Sequence, residues 1–186
     1  MASESSFFGS SIVPIRFVFL MWLVFYLEIM FGLPLSGYGI EPRTLHGLIG
    51  ILAGPLIHGD LLHLVSNTIP LLFLGWVLFF FYPRIGGVVF LRAYFWTNVL
   101  VWLFARPANH IGASGVVYGL AFFLIFFGIF RRDFLSLFIS VIVLLLYGGV
   151  FYGVLPSDPR ISWESHFAGA LVGIVTAVTF AKQKKV

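Results

Sequence analysis

Two distant points of this chain carry side chains suited to acyl-transfer chemistry. Gly112-Ala113-Ser114-Gly115 opens one apolar run, and Ser165-His166-Phe167-Ala168-Gly169 opens another. A serine hydroxyl is a weak nucleophile until a neighbouring base takes its proton, and imidazole is the side chain most often used for that near neutral pH. A third apolar run carries His63 and Asn67, spaced i, i+4, so both project from one helical face. As hydrogen-bond donors they suit an oxyanion site, where one such donor is worth about 2.7–4 kcal/mol of barrier. Polar and ionisable groups at membrane depth face a cavity or a partner and mark function. Together the four residues read as a serine hydrolase site inside a membrane.

Each residue also has a plainer reading. A serine at a helix start is usually an N-cap. Here Gly112 and Gly115 flank it and let backbone approach closely, and a helix N-terminus supplies free N–H groups and a positive dipole end for an oxyanion. A lone histidine near an interface is often an anchor or a satisfied core group. However, Gly115 with Gly119 and Gly169 with Gly173 form two G-x-x-x-G spacings, which let helices pack closely. His166, Gly169, Ala170 and Gly173 share one helical face. If the two glycine faces meet, Ser114 and His166 stand opposite each other near hydrogen-bond distance.

Tyr118, four residues after Ser114 on the same face, could stack on the His166 imidazole or simply pack in the core. Glu164, two residues before His166, points elsewhere on a helix, so a dyad is expected rather than a triad. His63 and Asn67 could instead bond each other or a loop carbonyl. A metal site using His63 with His58 or His166 lacks cysteine, a well-placed carboxylate and H-x-x-x-H or H-E-x-x-H spacing. Neither a metal nor another cofactor is expected. Arg43 and His46 in the first loop carry no assigned chemistry. Arg106, Asn109 and His110 are expected at most to order the cavity rim.

These residues must be positioned by membrane-spanning helices. Of the 186 residues, 60% are hydrophobic and only 10% charged, where soluble domains carry about 25% charged residues. The mean hydropathy is +1.05. The length suits one domain, residues 1–186. With no cysteines, disulfides and thiolate metal sites are excluded. The net charge of +4 sits beside the ends of apolar runs rather than in a stripe, which fits membrane orientation and not a nucleic-acid partner. The polar residues Met1 to Ser11 lack a basic cluster, and no small-residue cleavage site follows, so a retained first span is expected rather than a removed signal peptide.

Spans of about 20 apolar residues are expected near 15–33, 61–82, 86–104, 114–130, 134–155 and 165–181. Pro34, Pro83, Pro107 and Pro156 punctuate them. Alternation puts Arg84, Arg131, Arg132, Lys182, Lys184, Lys185 and the N-terminus on one side. Arg43, Arg106 and Arg160 fall on the other, among Glu41, Asp60, Asp158 and Glu164. The positive-inside rule then places both termini in the cytoplasm and the four site residues toward the outer face. The long connection from Pro34 to Asp60 contains Leu45 to Leu56, apolar but too short to span, expected in the interface or as a re-entrant element.

The chain resembles the rhomboid family of intramembrane serine proteases. The resemblance lies in Gly112-Ala113-Ser114-Gly115 opening the fourth span, His166 with Gly169 and Gly173 on the sixth, His63-x-x-x-Asn67 on the second, and Tyr118 four residues after the serine. It covers essentially the whole chain and looks like the minimal six-span bacterial or archaeal form, an all-α bundle with a long, partly helical first loop. The resemblance implies that Ser114 is the nucleophile and His166 its base. It further implies that His63, Asn67 and the Ser114 amide stabilise the oxyanion, and that the protein sits in the cell (plasma or inner) membrane. Transmembrane protein substrates are the implied partners, and movement of the fifth span or of residues 153–164 their implied entry. One departure is that no tryptophan precedes Arg43, which leaves the first loop's anchoring open. Two rival readings are a non-catalytic rhomboid-like protein that binds membrane clients and a small transporter or channel. The first usually lacks the serine or the histidine; the second is disfavoured by the absence of an internal repeat and of acidic residues beyond Glu28 within the spans.

Overall fold

The computed structural model describes residues 7–156, 158 and 160–183. Residues 1–6 of the polar N-terminus, and Lys184 and Lys185 of the orientation count, lie outside the described residues. The helices are α1 (Phe7–Phe31), α2 (Gly47–Ala53), α3 (Leu61–Phe81), α4 (Gly86–Phe104), α5 (Ser114–Arg131), α6 (Phe134–Tyr147), α7 (Val150–Gly153) and α8 (Trp163–Ala181). Such a chain in lipid must satisfy its backbone internally, and helices do that within each segment.

Among the described residues, five helices, α1, α3, α4, α5 and α8, are long and apolar enough to cross a membrane. The segment expected as the fifth span, 134–155, instead splits into the 14-residue α6 and the single turn α7. Gly148 and Gly149 keep helical dihedrals at the break, but two successive glycines each cost about 1 kcal/mol relative to alanine inside a helix. The first helix starts at Phe7 rather than Ile15, with Pro14 inside it. The Pro14 ring lies against Gly75 of α3, where a Cβ would come within 2.7 Å of it. The last helix begins at Trp163, which places His166 in its first turn.

The central helix is α5, apolar on all sides and contacting α3, α4, α6 and α8, most extensively α8. A helix that is hydrophobic all round belongs in the middle of a bundle. Leu120, Phe123, Leu124 and Phe127 are wholly buried in the core that α5 shares with α1, α3 and α4. Its C-terminal turn ends in the left-handed Arg132, and Asp133 then caps α6 by accepting from the Ser136 N–H at 2.9 Å and hydroxyl at 2.8 Å.

The first loop folds back on α4. The Arg43 N–H donates to the Trp102 carbonyl at 2.9 Å, and its guanidinium donates to the Ala105 carbonyl at 2.8 Å. Trp102 Nε1 donates to the Thr44 carbonyl at 2.9 Å. The tryptophan that anchors Arg43 thus comes from α4 rather than from the preceding residue. Deeper in the loop, Asn98 donates to the Ile51 carbonyl at 3.1 Å and Tyr94 to that of Leu52. Ile40 and His110 exchange two backbone hydrogen bonds, of 2.8 and 2.9 Å, which tie the first loop to the segment leading into α5.

Candidate active site

The two glycine faces meet. A Cβ on Gly169 would collide with the Gly115 carbonyl, and one on Gly173 would stand 2.9 Å from the Phe123 nitrogen. On the other side of α5, a Cβ on Gly119 would reach Ala93 of α4 at 2.8 Å. With no side chains between them, α5 and α8 approach backbone to backbone. Ser114 is the first residue of α5 and His166 lies in the first turn of α8, so both are at the same end of this contact. Ser114 Oγ lies 2.9 Å from His166 Nε2.

The geometry also fixes the tautomer of His166. Its Nδ1 lies 2.9 Å from the Gly153 carbonyl on α7. A carbonyl oxygen only accepts, so Nδ1 carries the hydrogen and Nε2 presents its lone pair to the Ser114 hydroxyl. Tyr118 stacks on the imidazole with ring centroids 4.0 Å apart and planes within 5°. Its hydroxyl abuts Gly153, the same residue that holds Nδ1. The imidazole is thus held from one face by an aromatic ring and from one edge by a backbone carbonyl, without a carboxylate. Glu164 points away and faces the Arg106 guanidinium at 3.4 Å.

Asp60 caps α3 by accepting from the His63 N–H at 2.8 Å, which fixes where the His63 side chain leaves the helix. The His63 ring sits beside Gly112, two residues before Ser114. Gly112 has a φ of +100°, and a Cβ there would come within 2.5 Å of His63 Nε2. Glycine alone combines that dihedral with that clearance. Buried Asn67 donates through Nδ2 to the His63 carbonyl at 3.0 Å, leaving a second hydrogen on the same nitrogen. The Ser114 N–H heads α5 and belongs to the donors a helix leaves without an internal partner. Ser114, His166, His63, Asn67 and Tyr118 all line one cavity of about 860 Å³, together with Asp60, Asp158 and Arg160.

The sequence offers His58 only as a metal ligand, yet the structure gives it a supporting place. It is buried in the loop before α3, its ring 4.9 Å from that of His63. Nδ1 faces the Leu56 carbonyl at 3.3 Å, and Nε2 accepts from the Ala113 N–H at 3.4 Å. It thereby supports the residue just before Ser114. Burial, reinforced by the His63 ring, lowers its pKa to about 4 and keeps it a neutral acceptor. Among the described residues, no three His, Cys, Asp or Glu side chains come together as a metal-holding group. His46 bonds the Gly37 carbonyl at 2.9 Å, and Asn109 that of Ser36 at 2.7 Å, so both serve the first loop's fold. Arg106 donates to the Ile161 carbonyl at 2.8 Å, joining the segments before α5 and α8. The partners that sequence reasoning missed, the carbonyls of Gly153 and Leu56, are backbone atoms with no signature in residue type.

Comparison with known proteins agrees with this architecture. An uncharacterized protein of Mycobacterium tuberculosis is 33% identical over 180 residues, covering 88% of this chain and 72% of its own length. A counterpart from Mycobacterium bovis matches to the same extent. An uncharacterized protein of Mycobacterium leprae is also 33% identical, with 68% of its own length covered. Residues 45–183 match the Rhomboid domain, from within the first loop to the end of α8. The chain belongs to the rhomboid family, a family of intramembrane serine proteases.

Proposed function

We propose that this protein is an active intramembrane serine endopeptidase that cuts other membrane proteins in or beside their transmembrane segments. The observation that carries this reading is the 2.9 Å contact of Ser114 Oγ with His166 Nε2, on an imidazole whose Nδ1–H is committed to the Gly153 carbonyl. In the first step His166 Nε2 takes the hydroxyl proton as Oγ bonds to the scissile carbonyl carbon. The oxyanion draws on the Ser114 N–H, His63 and the second Asn67 hydrogen. His166 then gives its proton to the departing amine as the C–N bond breaks, which leaves an acyl-enzyme on Ser114. A water, deprotonated by His166, releases the acyl group and restores the hydroxyl. The scissile bond has to leave its helix to be attacked, so small or flexible residues near it are expected in substrates.

In this reading the chain makes six crossings, with α6 and α7 forming the short fifth. Both termini are cytoplasmic and the cavity opens toward the outer face, because Arg84, Arg131, Arg132 and Lys182 lie at the opposite end from Ser114 and His166. Asp158 and Arg160, an ion pair of 2.9 Å, flank that opening. Purified protein is expected to cleave a model transmembrane substrate, and Ser114→Ala to abolish the cleavage. Survival of cleavage in Ser114→Ala would refute the assigned nucleophile. A fluorophosphonate is expected to label Ser114 and to lose that reactivity in His166→Ala. A wild type that neither cleaves nor labels would favour a client-binding protein.

A further inference from the structure

The segments that bring Ser114 to His166 touch again four residues upstream on both sides, with the residue types exchanged. His110 Nδ1 lies 2.5 Å from Ser162 Oγ. In this second rung, as in the first, the idle imidazole nitrogen meets a backbone carbonyl: His110 Nε2 is 3.0 Å from the Arg106 carbonyl. The carbonyl accepts, so Nε2 carries the hydrogen and Nδ1 accepts the Ser162 hydroxyl. The Ser165 hydroxyl then donates to Ser162 Oγ at 2.7 Å. Ser165 is buried against Gly115, where a Cβ would come within 3.1 Å of the Ser165 carbonyl. A continuous run of hydrogen bonds therefore links the segment before α5 to the start of α8 and ends against the residue that follows Ser114.

Two details set this rung apart from an incidental contact. Ser162 occupies the N-cap position of α8, yet its side chain makes no capping bond and is committed to His110 instead. His110 is itself a fixed point, buried at 3% exposure and held through its backbone to Ile40. At that burial it has no access to substrate. Among the described residues no carboxylate bonds His166, whose ring nitrogens meet the Gly153 carbonyl and Ser114, so alignment of the pair depends on where α8 begins relative to α5. We propose that the His110–Ser162 rung sets that offset, which makes His110 and Ser162 positioning residues for the Ser114–His166 pair. This inference rests on the reading of that pair as catalytic.

The test uses the full chain and a model transmembrane substrate. Displacement of a reacting group by about 1 Å costs about 10²-fold. His110→Phe and Ser162→Ala are each expected to lower kcat on that order while leaving KM unchanged. The double variant should be no worse than the worse single one, because the two act as a unit. His110→Gln offers an oxygen to Ser162 and an N–H to the Arg106 carbonyl, and it should recover activity to within a few-fold of wild type. Additive losses, a glutamine variant as poor as phenylalanine, or loss expressed in KM would each overturn the proposal. Crystal structures of wild type and Ser162→Ala give a readout independent of turnover. The Oγ–Nε2 separation should exceed hydrogen-bonding distance in the variant, and retention of 2.9 Å would overturn the proposal whatever the activity. A wild type that cleaves nothing would sink the dyad reading alone.

Discussion

An imidazole becomes a directed base only when its second nitrogen is occupied, and in this site the backbone supplies the occupant. In the proposed mechanism the carbonyl of Gly153 fixes the His166 tautomer and orientation, as an aspartate does in a triad, without supplying a charge. Gly112 shows how little freedom remains around it. Gly112→Ala must accept a φ of +100° and drive a methyl into the His63 ring. It is expected to destabilise the fold by about 1–3 kcal/mol, read as a lower melting temperature in detergent, with slower fluorophosphonate labelling of Ser114. His58 makes stability depend on acid. Its pKa falls from 6.5 to about 4 on folding, chiefly through burial. Between those values the unfolded chain binds a proton that the folded chain refuses. Its contribution is therefore complete above pH 6.5 and is lost as pH falls toward 4, by up to about 3 kcal/mol. The drop in melting temperature from pH 7.5 to pH 4.5 should shrink in His58→Gln, and an equal drop in both proteins would refute the assignment. At this scale the adjacency of Ser114, His166 and Tyr118 was legible, because helical spacing places side chains. The carbonyl partners and His58 were not, because contacts made through backbone atoms leave no pattern of residue types.

The α5–α8 contact shows what element-scale reading of a sequence can capture. Two G-x-x-x-G spacings on different apolar runs implied a close crossing, and the helices touch through Gly115, Gly169 and Gly173. Gly169→Ala forces a methyl onto the Gly115 carbonyl and should cost about 1–3 kcal/mol by overpacking. Gly87→Ala, on α4 with nothing within 4 Å of the added carbon, should be neutral or stabilising by up to about 1 kcal/mol. Thermal unfolding of both variants in one detergent checks the contrast. Helix limits at proline or at a charged turn were also legible, as at Phe104 and Arg131. The interruption of the fifth segment was less so, since hydropathy stays high through Gly148 and Gly149 and only the missing side chains mark the break. The anchoring of the first loop could not be read either, because Trp102 reaches Thr44 across 58 positions of sequence.

At the scale of the molecule, orientation is the property most open to direct measurement. The chain has no cysteine, so a single introduced thiol reports without background. Arg160→Cys should react with a membrane-impermeant maleimide on intact cells, and Arg84→Cys only after permeabilisation. The reverse pattern would invert the proposed topology. Of the six proposed crossings, the fifth is the one without a long continuous helix, and α6 is its main part. Its 14 residues rise about 21 Å, whereas a typical hydrocarbon core is about 30 Å thick. The crossing is completed only through the Gly148-Gly149 break and the turn of α7, where a change in bilayer thickness meets the least continuous helix. Gly153, which holds the imidazole of His166, is the last residue of that turn. Turnover should therefore depend on lipid chain length, falling from dimyristoyl to dierucoyl phosphatidylcholine vesicles while the melting temperature in detergent stays the same. The membrane would then act as a tuning element of the enzyme, its thickness felt at an imidazole ring through a single peptide group.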